Sequence, residues 1–128
     1  NAEKDTLEIL SSEKKNKNFN ILMHCFTGTK EFAKSLTDIG CYFSASGVIT
    51  FKKSTDLAKT FKSIPNDKIL VETDSPYLSP EPMRGKVNQP SNIVHTVKFI
   101  SLLKGTTKDE VEKFTTNNFQ KLFKTNII

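Results

Sequence analysis

Helix-period and strand-period stretches take turns along this chain. Ala2, Thr6, Ile9, Leu10 and Glu13 recur at three- and four-residue spacings, which predicts a helix over 2–15, ended by the run KKNKN. An apolar run then predicts a strand over 19–26. Thr27-Gly28-Thr29 turns the chain, and Thr29 is placed to cap a helix with Phe32, Leu36 and Ile39 on one stripe. Gly40 stands at the C′ position that stops such a helix. Over 41–46, Cys41, Phe43 and Ala45 alternate with Tyr42, Ser44 and Ser46, which predicts a second strand, and Gly47 lets the backbone bend at its end. A helix over 55–63 follows, with Leu57, Phe61 and Ile64 on one face.

After the turn Ile64-Pro65-Asn66-Asp67 comes the third strand, 68–73. Its Ile69, Leu70 and Val71 form an unbroken apolar run, as in a strand buried on both faces. The run stops within one residue and delivers Glu72, Thr73 and Asp74. Pro76 then fixes its own φ and pushes Ser75 away from helix, so the chain leaves the sheet as a loop over 75–89. Pro90 opens a helix that carries Ile93, Val97 and Ile100 to Lys104, and Gly105 ends it. Thr107 and Glu110 are spaced as a capping box for a helix burying Val111 and Phe114. Asn117 is placed to cap a last short helix carrying Phe119, Leu122 and Phe123. The order α, β, α, β, α, β without two-residue hairpins predicts parallel strands joined by crossover helices.

Composition adds bounds to this pattern. A chain of 128 residues has room for one domain with a modest core. No apolar run approaches the roughly 18 residues of a membrane span, and no charged-then-apolar leader is visible. Cys25 and Cys41 lie in or beside apolar strands without metal-ligand spacing, which predicts buried free thiols, a reducing compartment and a cytoplasmic protein. The net charge of +5, from 19 basic and 14 acidic residues, fits a polyanionic partner and equally a lysine-rich solvated surface. Three parallel strands would leave unpaired edges on both sides. The first residue is Asn1 and not Met, so the expectation is a piece of a longer chain, or one whose start has been removed.

Candidate chemistry gathers at two strand ends. The stretch NILMHCFTG at 20–28 delivers His24 at the end of its apolar run, as KILVETDSP at 68–76 delivers Asp74. In parallel α/β folds that edge is where ligands bind. Imidazole and carboxylate suit a divalent metal, although a hydrolytic site needs at least three protein ligands. A core histidine and solvated acids are the plainer alternatives, and Glu72 reads as a supporting or structural acid. Arg84, in the loop Arg84-Gly85-Lys86, could hold a phosphate bidentately or be a solvated loop cation. His95 reads as structural, and Ser44 and Ser46 lack the G-x-S-x-G context of a serine nucleophile.

The motifs LMHCFTGT at 22–29, YFSASGVITF at 42–51, ILVETDSPYLSPEPMRGKVNQPSNIVH at 69–95 and TTNNFQKLF at 115–123 together resemble the TatD family of metal-dependent deoxyribonucleases, in its order and spacing. The resemblance implies an α/β fold, the C-terminal half of a (β/α)8 TIM barrel of the metal-dependent hydrolase type. Three parallel strands, six to eight of the barrel, with flanking helices would then form one partial domain over 1–128. It implies hydrolysis of phosphodiester bonds in DNA with divalent cations, two per complete site, Mg with Mn and Zn as alternatives. His24 and Asp74 would be metal ligands, Asp74 also the catalytic base, Arg84 a phosphate contact and Glu72 a support behind the ligands. The family's H-x-H pair, bridging glutamate and a further strand-end histidine have no counterpart among these residues. A complete barrel takes about 250 residues. The expected partners are DNA and a missing N-terminal half, with no membrane, and the fragment alone is expected to be inactive. Two other readings stay open: a non-catalytic remnant pairing with another chain, and a related barrel hydrolase acting on a non-nucleic-acid ester or amide.

Overall fold

The computed structural model describes residues 2–125. Three strands form one parallel sheet in the order β1–β2–β3: β1 is Leu22–Met23, β2 is Tyr42–Ala45 and β3 is Ile69–Val71. Leu22 lies opposite Tyr42, Met23 opposite Phe43, Ser44 opposite Leu70 and Ala45 opposite Val71. The helices are α1 (Ala2–Asn16), α2 (Lys30–Asp38), α3 (Thr55–Ser63), α4 (Ile93–Lys104) and α5 (Lys108–Phe123). Side chains alternate across the sheet. Met23, Phe43, Ala45, Ile69 and Val71 meet Phe32, Leu36, Phe61, Val97, Ile100 and Val111 from the helices. Leu22, Tyr42 and Leu70 occupy the opposite face, where Leu122 from the end of α5 packs against them. Fully buried side chains such as Phe43, Phe61, Leu36 and Ile100 each contribute roughly 1.5–3 kcal/mol through the water they lose.

The helix boundaries follow the expected chemistry closely. Thr29 caps α2 by accepting from the Phe32 N–H, and Gly40 follows its C-cap with φ +83°. The Thr107–Glu110 capping box opens α5, and Gly105 closes α4 in the left-handed region. Pro90 opens a 3-10 turn, Pro90–Asn92, from which α4 continues.

Four expectations change. The first strand pairs only over Leu22–Met23, because Cys25 at φ +47° turns the chain out of extended geometry. Leu7 and Leu10, half-buried, pack α1 on the core while Ile9 is exposed, so the packed stripe is one residue out of the expected phase. Asn117 caps nothing: α5 is continuous through it, since Val111, Thr115, Asn118 and Leu122 keep one buried face along β3. Gly47 serves a close approach more than a bend. A Cβ there would sit 2.1 Å from the Leu78 carbonyl oxygen and 3.0 Å from Pro80 N, so only glycine lets the loop after β3 cross the end of β2.

Candidate metal centre

Continuing the sheet alternation past the last paired residues puts His24, Ser44, Ser46 and Glu72 on the face of Leu22, Tyr42 and Leu70, toward the C-terminal ends. The Glu72 N–H still donates to the Ala45 carbonyl at 3.0 Å, which holds the residue in line although β3 has ended. Its carboxylate reaches across β2 to the far strand. Oε1 lies 3.1 Å from His24 Nδ1, and Oε2 accepts from the Cys25 N–H at 3.0 Å. That reach crosses the buried Ser44 and Ser46, whose short side chains leave it open.

Burial separates the two partners. The Glu72 side chain is 10% exposed and that of His24 is 67% exposed. Glu72 Oε1 is buried with no hydrogen-bond partner, its approach to Nδ1 being close but poorly aligned. A buried carboxylate oxygen with one unaligned donor is an incomplete arrangement. It suits a histidine whose Nδ1 faces the carboxylate and whose Nε2 is left for a metal ion.

Asp74 lies at the same edge and is exposed, with φ +56° turning it out of the strand line, so it no longer shares the regular alternation of Glu72. Burial pushes the Cys25 thiol up; a hydrogen bond with Ser46 (Sγ to Oγ 3.2 Å) opposes this, and the charges of Glu72 and Asp74 add to it. Both carboxylates therefore act on the residue next to His24. Among the described residues no three of His, Cys, Asp and Glu are grouped to hold a metal ion. The donor set fits a divalent cation in kind, and falls short of a hydrolytic site in number.

Residues 74–89 leave this edge as a shaped loop. The Tyr77 N–H donates to the Asp74 carbonyl at 2.9 Å, and the Ser79 hydroxyl to the Lys86 carbonyl at 2.6 Å. Asn88, buried, donates from Nδ2 to the carbonyls of Thr73 at 2.8 Å and Tyr77 at 2.7 Å. Its Oδ1 accepts from Gln89 N and Asn92 Nδ2, both at 3.0 Å. Arg84 is exposed and lays its guanidinium over the Phe51 ring, 3.8 Å from the centroid. His95 lines a separate groove with Thr50, Glu81 and Pro82. Sequence reasoning did not find Asn88, because an asparagine two residues before a proline reads as ordinary turn chemistry.

The family model described as TatD related DNase matches residues 1–124. The chain belongs to the TatD-related DNase family. It is 46% identical over 123 residues to the uncharacterised metal-dependent hydrolase BU355 of Buchnera aphidicola, covering 96% of this chain and 46% of that protein. It is 44% identical over 122 residues to the uncharacterised metal-dependent hydrolase YcfH of Escherichia coli K12, covering 95% and 46%. The chain thus spans about half the length of these relatives. Among solved structures it matches YjjV, a TatD homologue from Escherichia coli, with TM-score 0.85 at 20% identity, over 97% of this chain and 47% of that one. The three parallel strands and their helices accordingly have the fold of part of a TatD-type (β/α)8 barrel, and the relatives they match carry the name metal-dependent hydrolase.

Proposed function

We propose that this chain carries part of the active site of a divalent-metal-dependent deoxyribonuclease that hydrolyses phosphodiester bonds in DNA. The observation behind this reading is the pairing of His24 with the buried Glu72 at the ends of parallel strands, beside Asp74. His24 Nε2 and an Asp74 carboxylate oxygen are the donors offered to the metal, two ions per complete site, with Mg favoured over Mn or Zn. A slight rotation of the exposed imidazole aligns Nδ1–H with Glu72 Oε1, which fixes the tautomer and strengthens Nε2 as a donor. Divalent cations held there would supply positive charge to the phosphate and a more acidic water. Asp74 would hold metal and serve as the proton acceptor, and Arg84, held flat by Phe51, would grip the phosphate through its paired N–H groups.

Two protein ligands hold a divalent ion weakly, so the other ligands come from an N-terminal half-barrel, in the same or a separate chain, and the 128 residues alone are inactive. Three observations support such a partner. Among the described residues β1 and β3 each have one unpaired edge. Beside β3 lies a groove lined by Leu70, Val71, Thr115, Thr116 and Phe119, and Phe119 and Phe123 are exposed. The relatives are about twice as long. Among the described residues no helix is long and apolar enough to cross a membrane. The free thiols of Cys25 and Cys41 support a reducing compartment, for which the cytoplasm is our assignment. The test joins this chain to the N-terminal half of YcfH and follows cleavage of labelled DNA. Cleavage in Mg²⁺ that vanishes in EDTA and in Asp74→Asn is expected, with none from the chain alone. A folded, metal-loaded chimera that leaves DNA intact would overturn the nuclease reading.

A further inference from the structure

The loop after β3 presents large hydrophobic groups to solvent. Tyr77 is 71% exposed and Val87 is 79% exposed. Both line one cavity of about 630 Å³ together with Pro76, Leu78, Arg84 and Lys86, and the charged side chains lining it are both cationic. The acids of this loop, Asp74 and Glu81, are not among its lining residues.

The surface is shaped in advance. The Ser79 hydroxyl ties to the Lys86 carbonyl, the Asn88 N–H donates to Pro76 O at 2.9 Å, and Asn88 Nδ2 holds the Tyr77 carbonyl. A rigid loop loses little entropy when it binds, and a tyrosine on such a loop offers a flat face at low ordering cost. The hydrogen bond from Tyr77 N–H to the Asp74 carbonyl keeps the two residues within one backbone turn. The core of a protein–protein interface is depleted in lysine. Aromatic and cationic groups side by side are instead what an unpaired nucleotide binds, its base on the ring and its phosphate on the cations.

We propose that Tyr77, with Val87 lining the same cavity, is a stacking platform for an unpaired base of a DNA strand, with Arg84 and Lys86 on the adjoining phosphates. This rests on the nuclease reading and adds to it a residue that contacts a base rather than the backbone. It also gives Tyr77 a specificity role separate from the ligands.

The experiment measures binding in EDTA, so that no cleavage enters it. Fluorescence anisotropy compares a short labelled oligothymidylate with an abasic strand of equal length, on the full chain and its variants. Tyr77→Ala is expected to weaken the base-bearing strand by roughly 5- to 150-fold and leave the abasic strand within about twofold. Tyr77→Phe is expected to bind like the parent. Lys86→Ala is expected to weaken both strands and lower the salt slope by about one. The chain has two tyrosines and no tryptophan, so in Tyr42→Phe the remaining fluorescence is that of Tyr77. Oligothymidylate should quench it and the abasic strand should not.

Equal weakening of both strands by Tyr77→Ala, no discrimination by the parent, or no quenching would each overturn the platform. Circular dichroism of Tyr77→Ala guards against misfolding, which an exposed side chain should not cause. A chimera that cuts DNA while Tyr77→Ala fails to discriminate removes the platform and leaves the nuclease reading standing. Discrimination by Tyr77 in a chimera that never cuts DNA removes the nuclease reading alone.

Discussion

Replacing Asn88 with alanine should be costly far beyond the size of the change. Asn88 is 3% exposed, and its side chain bonds to Thr73 O, Tyr77 O, Gln89 N and Asn92 Nδ2. Gln89 is exposed, so water can replace its bond; the two carbonyls and the buried Asn92 amide have no such ready substitute. At about 1 kcal/mol for each of these three, with a small cavity added, Asn88→Ala should lose roughly 3–4 kcal/mol. With a urea m-value of about 1.5 kcal/mol/M, the unfolding midpoint followed by circular dichroism falls by about 2 M. Asn88→Asp keeps the volume but faces a carboxylate to two carbonyl oxygens. Its loss at neutral pH should match or exceed that of alanine and shrink in acid, where the protonated carboxyl regains one donor. A midpoint shift below about 0.3 M for alanine, or an aspartate variant as stable as the parent at pH 7, would refute this reasoning.

Gly47→Ala should displace the 78–80 backbone, since the new Cβ meets the Leu78 carbonyl oxygen at 2.1 Å; a loss of about 2 kcal/mol or more in the same urea assay is expected, and a neutral result would contradict it. Burial pushes the Cys41 thiol up to about 11 from an ordinary 9.0, with Lys14 and Lys68 pulling the other way. The folded state therefore favours the protonated thiol, so its stabilisation is full below pH 9 and fades as pH rises through about 11. Ellman's reagent at pH 8 should leave Cys41 unmodified until urea is added; rapid modification of the native chain would be the contrary outcome. Phe119 and Phe123 are exposed with ring centroids 4.6 Å apart. Changing both to lysine should reduce self-association in analytical ultracentrifugation and weaken binding of an N-terminal half at least tenfold, and unchanged binding would detach that face from the interface.

The parallel sheet was legible because Tyr42–Ala45 alternates cleanly and Ile69–Val71 is wholly apolar, each ending in polar residues. Caps at Thr29 and Thr107 were legible because their chemistry is local. The misreadings share a cause: tertiary use overrides local preference. Asn118 donates to the carbonyls of Asn66 and Ile69, both at 2.8 Å, so the neighbouring Asn117, which suggested a helix start, belongs to an unbroken α5. His24 and Asp74 could be singled out as strand-end residues. Glu72 could be read as a supporting acid but its partners could not, since it meets His24 across 48 positions of sequence only because the β1–β2–β3 register brings them to one edge. Asn88 was hidden for the same reason, its partners being backbone carbonyls that no side-chain motif announces.

Manganese binding, read by electron paramagnetic resonance on the chain completed with the YcfH N-terminal half, bears most directly on the assignment of His24 and Asp74 as ligands. His24→Ala and Asp74→Asn should each lower Mn²⁺ affinity at least 100-fold, Glu72→Gln should lower it by about 10- to 100-fold, and the 128-residue chain alone should bind only weakly. Affinity unchanged in both His24→Ala and Asp74→Asn, with the variants folded, would contradict a metal centre at these strand ends.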